Sequence, residues 1–71
     1  MGLQHTENLF RRYRGQMVTV KTISGGNYEG RVTEVTSDFV ELIEKRDGVS
    51  TQVFLLFQAI ETIIAKETPN Q

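Results

Sequence analysis

The chain has no cysteine, one histidine, one proline and no long apolar run. Without cysteine there is no disulfide to staple a small domain and no thiolate to hold a metal, and a reducing cytoplasm is a compartment the composition fits without strain. The lone His5 cannot supply a cluster of metal ligands, nor serve as base to an absent thiol nucleophile. No apolar stretch approaches the roughly 18 residues of a membrane-spanning helix, and the polar N-terminus does not resemble a signal peptide. No segment repeats and none is of low complexity. The expectation is a soluble, cytoplasmic, non-enzymatic protein with no cofactor, no metal site and no membrane partner.

What is present is a chain of 71 residues and 8.1 kDa, read as a single domain over residues 1–71. A core of this size is marginal alone, and oligomerisation is the remaining way to stabilise it. The net charge of -1 conceals an asymmetry. Residues 1–31 carry Arg11, Arg12, Arg14, Lys21 and Arg31 against Glu7 and Glu29, five minus two, a balance of +3. Residues 32–71 carry three cations against seven carboxylates, a balance of -4. Such a split predicts one basic and one acidic surface.

The patterning predicts a short helix followed by five short strands. Thr6 is a candidate N-cap, and Leu9, Phe10 and Tyr13 fall on one apolar face. Gly15 stops the helix, with Arg11, Arg12 and Arg14 in its last turn where cations suit the dipole. The helix is expected over about residues 6–14, and the strands over about 17–23, 28–35, 39–45, 51–57 and 60–65. Arg46-Asp47-Gly48 closes one hairpin, with Gly48 where a left-handed conformation is expected, and Gly25, Gly26 and Asn27 suit the positive φ of an earlier two-residue hairpin turn. They do not fit a phosphate loop, because no Lys-Ser/Thr follows and a strand comes next. Gly30, between Tyr28 and Val32 on one face, marks a bend or the close approach of another backbone. Pro69, Asn70 and Gln71 read as a tail. Short connections make the strands an antiparallel meander, and an internal glycine bend predicts a small, strongly curved five-stranded barrel.

The run Val53 to Phe57 is the strongest single signal. Alternation puts Val53, Leu55 and Phe57 on one face and Phe54 and Leu56 on the other. Leaving Phe54 and Leu56 in water forfeits about 3–6 kcal/mol, so the second face calls for a cover: the N-terminal helix or a neighbouring subunit. The candidate interface is Val53, Phe54, Leu55, Leu56, Phe57, Ile60 and Ile63, in a homo-oligomer.

The segments Gly15-Gln16-Met17-Val18-Thr19-Val20, Gly25-Gly26, Tyr28-Glu29-Gly30-Arg31-Val32, Asp38-Phe39-Val40-Glu41-Leu42 and Ile60-Glu61-Thr62-Ile63 together resemble the Sm-like (LSm/Hfq-like) family. The resemblance covers roughly residues 6–65 and looks nearest to small Sm-like proteins of spore-forming bacteria. It implies an N-terminal helix on a bent five-stranded barrel, and rings in which strand four of one subunit pairs with strand five of the next. Where RNA-binding members place an aspartate and an asparagine after the strand-two glycine, this chain has Thr36 and Val40. Leu56 and Phe57 stand where their arginine or histidine pocket begins. The usual uridine pocket is therefore expected to be missing.

Two function classes follow. In the first, the ring binds RNA or single-stranded nucleic acid through Arg11, Arg12 and Arg14 as a basic rim, Phe39 as a stacking platform and Gln58 at the pore. In the second, the ring is a structural or protein-interaction module without nucleic acid. The bland alternatives are a solvated helix end for the arginines and ordinary packing for Phe39. Glu34, Asp38, Glu41 and Glu44 crowd strand three, but alternation separates Glu41 from Glu44, and solvated acidic surface is the simpler reading of them.

Overall fold

The computed structural model describes residues 3–66. The chain forms a helix α1 (Leu3–Arg12), strands β1 (Met17–Thr22), β2 (Asn27–Val35), β3 (Phe39–Arg46) and β4 (Val49–Leu56), a single 3-10 turn (Phe57–Ala59) and strand β5 (Ile60–Ala65). All strands join one antiparallel sheet in the order β4-β3-β2-β1-β5. The expected tail Pro69, Asn70 and Gln71 lies outside the described residues.

β4 and β5 are consecutive in the chain yet occupy opposite edges of the sheet. Laid flat, five strands would put those edges about 19 Å apart, at about 4.8 Å per strand. The connection through Phe57–Ala59 spans at most about 14 Å from Leu56 to Ile60. The sheet is therefore rolled. Two backbone bonds fix the roll: Phe57 N–H donates to Asp38 O at 3.0 Å, and Ile23 N–H donates to Ala59 O at 2.8 Å. They tie the short connection to the start of β3 and the end of β1. Among the described residues no ladder joins β4 to β5, so both edges keep a row of unpaired backbone groups.

Gly30 makes the roll possible. It is buried in β2, and a Cβ there would sit 2.8 Å from the Ile43 carbonyl oxygen and 3.1 Å from the Leu42 Cβ. Any side chain would push β3 away. The register shifts between Val32 and Glu34 next to this point, and such a bulge adds local twist and bend. The expectation of a close backbone approach at Gly30 is met.

Inside the roll lie Phe10, Val18, Val20, Val32, Val35, Val40, Leu42, Leu55 and Phe57. Val18, Val20 and Thr22 point inward together, as the alternation of β1 requires. Thr22 is the buried polar member, and its hydroxyl oxygen accepts a bond from Gly26 N–H at 3.0 Å. α1 contributes Phe10, whose ring stacks on Phe57 with centroids 5.8 Å apart and planes 4° from parallel.

Three local expectations are corrected. The helix runs from Leu3 to Arg12, so Thr6 lies within it and is not its N-cap; the first turn forms without an acidic residue because Phe10 docks the helix on the core. Gly25, Gly26 and Asn27 do not make a two-residue hairpin. Asn27 already belongs to β2 and pairs with Lys21, only Gly25 has positive φ, and the Thr22 side chain bridges the longer loop. Phe57 leaves the strand for the 3-10 turn, while β4 starts earlier, at Val49. Asp47 and Gly48, by contrast, hold φ of 56° and 80° between the paired residues Arg46 and Val49, the left-handed pair that a type I′ turn needs.

Gly30→Ala is expected to lower stability by about 1–3 kcal/mol, as overpacking against backbone does. Gly15→Ala, at φ 87° but facing open space, should cost about 1 kcal/mol from strain alone. Urea unfolding of the two variants beside wild type checks the order; equal stability of Gly30→Ala and wild type would contradict the contact.

Candidate functional site

The rolled sheet leaves the outward face of β3 and β4 uncovered. The β3–β4 ladder pairs Phe39 with Leu56, Glu41 with Phe54 and Ile43 with Gln52, and directly opposed residues share a face. Phe39, Glu41, Ile43, Gln52, Phe54 and Leu56 therefore lie on one surface. Phe54 and Leu56 are 55% and 59% exposed. The Phe39 ring meets Phe54 edge to face, centroids 5.7 Å apart and planes at 86°. Beside this apolar patch Glu41 accepts a bond from Gln52 Nε2 at 2.6 Å and from the Thr33 hydroxyl at 3.1 Å.

Of the two covers expected for Phe54 and Leu56, α1 is ruled out. It packs on Phe57, which belongs to the inner side of the roll with Leu55. The interface candidates divide accordingly. Leu55 and Phe57 are buried in the chain's own core, and Val53, Ile60 and Ile63 are partly buried against it. Phe54 and Leu56 are the members of the run that a neighbour can reach.

β4 itself has no charged residue and no proline along its eight positions, VSTQVFLL. Edge strands of soluble proteins are ordinarily guarded by lysine, proline, a bulge or extreme shortness. β4 has none of these guards over Val49–Leu56: its ladder with β3 runs without a register shift. β5, at the other edge, bears Glu61 and exposes Ile64.

The candidate nucleic-acid residues separate into two groups. Arg11 is held by Glu7 one helical turn earlier, Nη2 to Oε2 at 2.7 Å. Arg14 reaches β2, with Nε donating to Thr33 O at 3.3 Å and Nη2 to Glu34 Oε1 at 3.4 Å. Both pairs are solvent-accessible and contribute at most about 1 kcal/mol each, but each brings a carboxylate to the arginine it was expected to leave bare. Arg12 is exposed and has no side-chain bond among the described residues. Phe39 and Gln58 are not brought into contact: Phe39 pairs with Leu56 and Asp38 O accepts from Phe57 N–H, so the antiparallel register carries Gln58 away from Phe39. Gln58 is exposed in the 3-10 turn. Of the acidic residues, Glu41 and Glu44 lie on different sides, as alternation required: Glu44 Oε2 accepts from Glu29 N–H at 3.3 Å.

One cluster was not assembled from the sequence. Lys21, Arg31, Lys45 and Arg46 come from three strands and meet Glu29 and Glu44 along a shared cleft. Its members are far apart in the chain, and only the ladder registers bring them together. Among the described residues there is no grouping of three or more His, Asp or Glu side chains suited to a metal ion, and no helix long and apolar enough to cross a membrane. The chain matches no protein-family model and no curated protein sequence.

A double-mutant cycle on Phe39→Ala and Phe54→Ala, read by urea unfolding, should return a coupling of about 0.5–1.5 kcal/mol, the usual range for an edge-to-face pair. A coupling indistinguishable from zero would mean that the pair does not form in solution.

Proposed function

We propose that this chain is an Sm-like barrel subunit that builds a closed homo-oligomer by pairing β4 of one copy with β5 of the next, and acts as a structural or protein-interaction module. The uncharged, unguarded edge of β4 carries this reading. A neighbour's strand would satisfy its free N–H and C=O groups, and would bring apolar side chains beside Phe54 and Leu56. Pairing two different edges is a heterologous contact, which closes into a ring when the rotation between copies divides a full turn. The strand order, with β4 and β5 as the two free edges, and the helix preceding β1 agree with the Sm-like resemblance. The module is non-catalytic in this reading.

A second reading, binding of RNA or another single-stranded nucleic acid, has one observation in its favour. Phe39 keeps part of its ring at the surface against Phe54 and Gln58 is exposed in the 3-10 turn, and repetition around a ring would give rings of aromatic and amide groups. Against it, Arg11 and Arg14 already face Glu7 and Glu34, which lowers the positive potential that phosphate contacts require.

Light scattering on wild-type protein at micromolar concentration should give a multiple of the 8.1 kDa chain mass. Phe54→Lys with Leu56→Glu should reduce it to a single chain that retains its circular dichroism. A wild-type mass of one chain would overturn the assembly reading. For nucleic acid, labelled oligo-U and oligo-A anisotropy at low salt decides: saturable, salt-sensitive binding lost in Phe39→Ala and Arg12→Ala would favour the second reading over the first.

A further inference from the structure

β2 and β3 do not stay paired. Their ladder runs from Val35 and Val40 to Arg31 and Ile43 and stops there. Yet β2 continues back to Asn27, still paired with β1, and β3 continues to Arg46, still paired with β4. The two strands fork beyond Gly30 and Ile43, where the backbones lie too close to admit a Cβ on residue 30. In the fork, Glu29 N–H has lost a strand partner and donates to the Glu44 carboxylate at 3.3 Å instead.

Two adjoining cavities of about 350 and 370 Å³ open along this fork and share Glu29, Glu44 and Arg46. The first is lined by the apolar Met17 and Ile43 and by the cations Arg31, Lys45 and Arg46. The second adds Lys21, Asn27 and the ring of Tyr28. Both volumes fall in the range of small-molecule sites, roughly 300–1,000 Å³. Four cations against two carboxylates leave the cleft at +2, in a chain whose net charge is -1. Arg31 is also fixed in place, Nη1 donating to Gly15 O at 2.9 Å, so part of the basic wall is held before any ligand arrives.

We propose that this fork binds a small phosphate monoester attached to an apolar or aromatic body. A phosphate monoester carries about -1.5 to -2 charges at neutral pH, which matches the +2 of the cleft better than a single carboxylate does. Lys45, Arg46 and Lys21 supply the phosphate contacts, Met17 and Ile43 take the apolar body, and Glu29 and Glu44 accept from donors on that body. The site is formed within one chain and does not depend on how copies assemble.

The test is fluorescence anisotropy of N-methylanthraniloyl-labelled adenosine monophosphate with the full chain at low ionic strength. Saturable binding is expected, displaced by unlabelled adenosine monophosphate and not by uncharged adenosine. Lys45→Glu with Arg46→Glu, and separately Lys21→Glu, should each weaken it about tenfold or more, since a charge-assisted hydrogen bond contributes on that scale. Asn8→Ala and Ile23→Ser, exposed and outside the cleft, should leave it unchanged, and circular dichroism of each variant checks that the sheet is intact. Absence of saturable binding, equal displacement by adenosine, or unchanged affinity in the folded Lys45→Glu/Arg46→Glu variant would overturn the proposal.

Discussion

The structure depends on one contact in which nothing is present: the missing side chain of Gly30, which lets the carbonyl of Ile43 come to a distance no Cβ tolerates. With β3 pressed against β2 at that point, the sheet turns on itself within a few residues. A connection as short as Phe57–Ala59 can then reach from one edge strand to the other. The same contact is the vertex at which β2 and β3 part, so the roll and the fork have one origin.

Much of the interior is valine. Val18, Val20, Val32, Val35 and Val40 line the inner face with Leu42 and Leu55, and β-branched side chains suit strongly bent, half-buried strands. So narrow a roll has limited room for larger groups. The two buried phenylalanines, Phe10 and Phe57, sit where α1 meets the 3-10 turn and stack on one another. The outer face follows the opposite rule: polar groups and charges predominate on β1 and β2, while Phe39, Phe54 and Leu56 gather on β3 and β4. An aromatic pair in such a place is supported by its own edge-to-face contact and by no core beneath it on that side.

The helix, the five strands and the bend were legible in the sequence because each rests on a local signal: alternation, turn residues, and a glycine inside a strand. Even the division of Val53 to Phe57 into an inner and an outer set followed from alternation, and Leu55 against Phe54 shows it. What was not legible rests on tertiary context. Thr6 resembles a cap, but docking of Phe10 extends the helix past it. Arg11 and Arg14 read as a bare basic rim. Glu7, a turn away, was visible as a partner in the spacing, while Glu34 became one only through the approach of α1 to β2. Of the two covers left open for Phe54, α1 could be set aside only from the structure, because helix position relative to the two faces of a strand is not encoded in either segment alone. The cleft cations are the extreme case, since Lys21, Arg31 and Lys45 are neighbours only through two ladder registers.

The pairing of β1 with β5 matches Val18 with Ala65, residues near the two ends of the sheet-forming sequence. Loop closure over such a span is among the slower and more costly steps a small chain undertakes. The hairpins β1–β2, β2–β3 and β3–β4 can each form locally beforehand, and they do so with β1 still open on one side and β4 on the other. During synthesis a nascent chain therefore exposes two open edges until β5 has emerged, and only one of them is then covered from within. The order in which the strands appear leaves β4 as an edge that no later strand among the described residues covers.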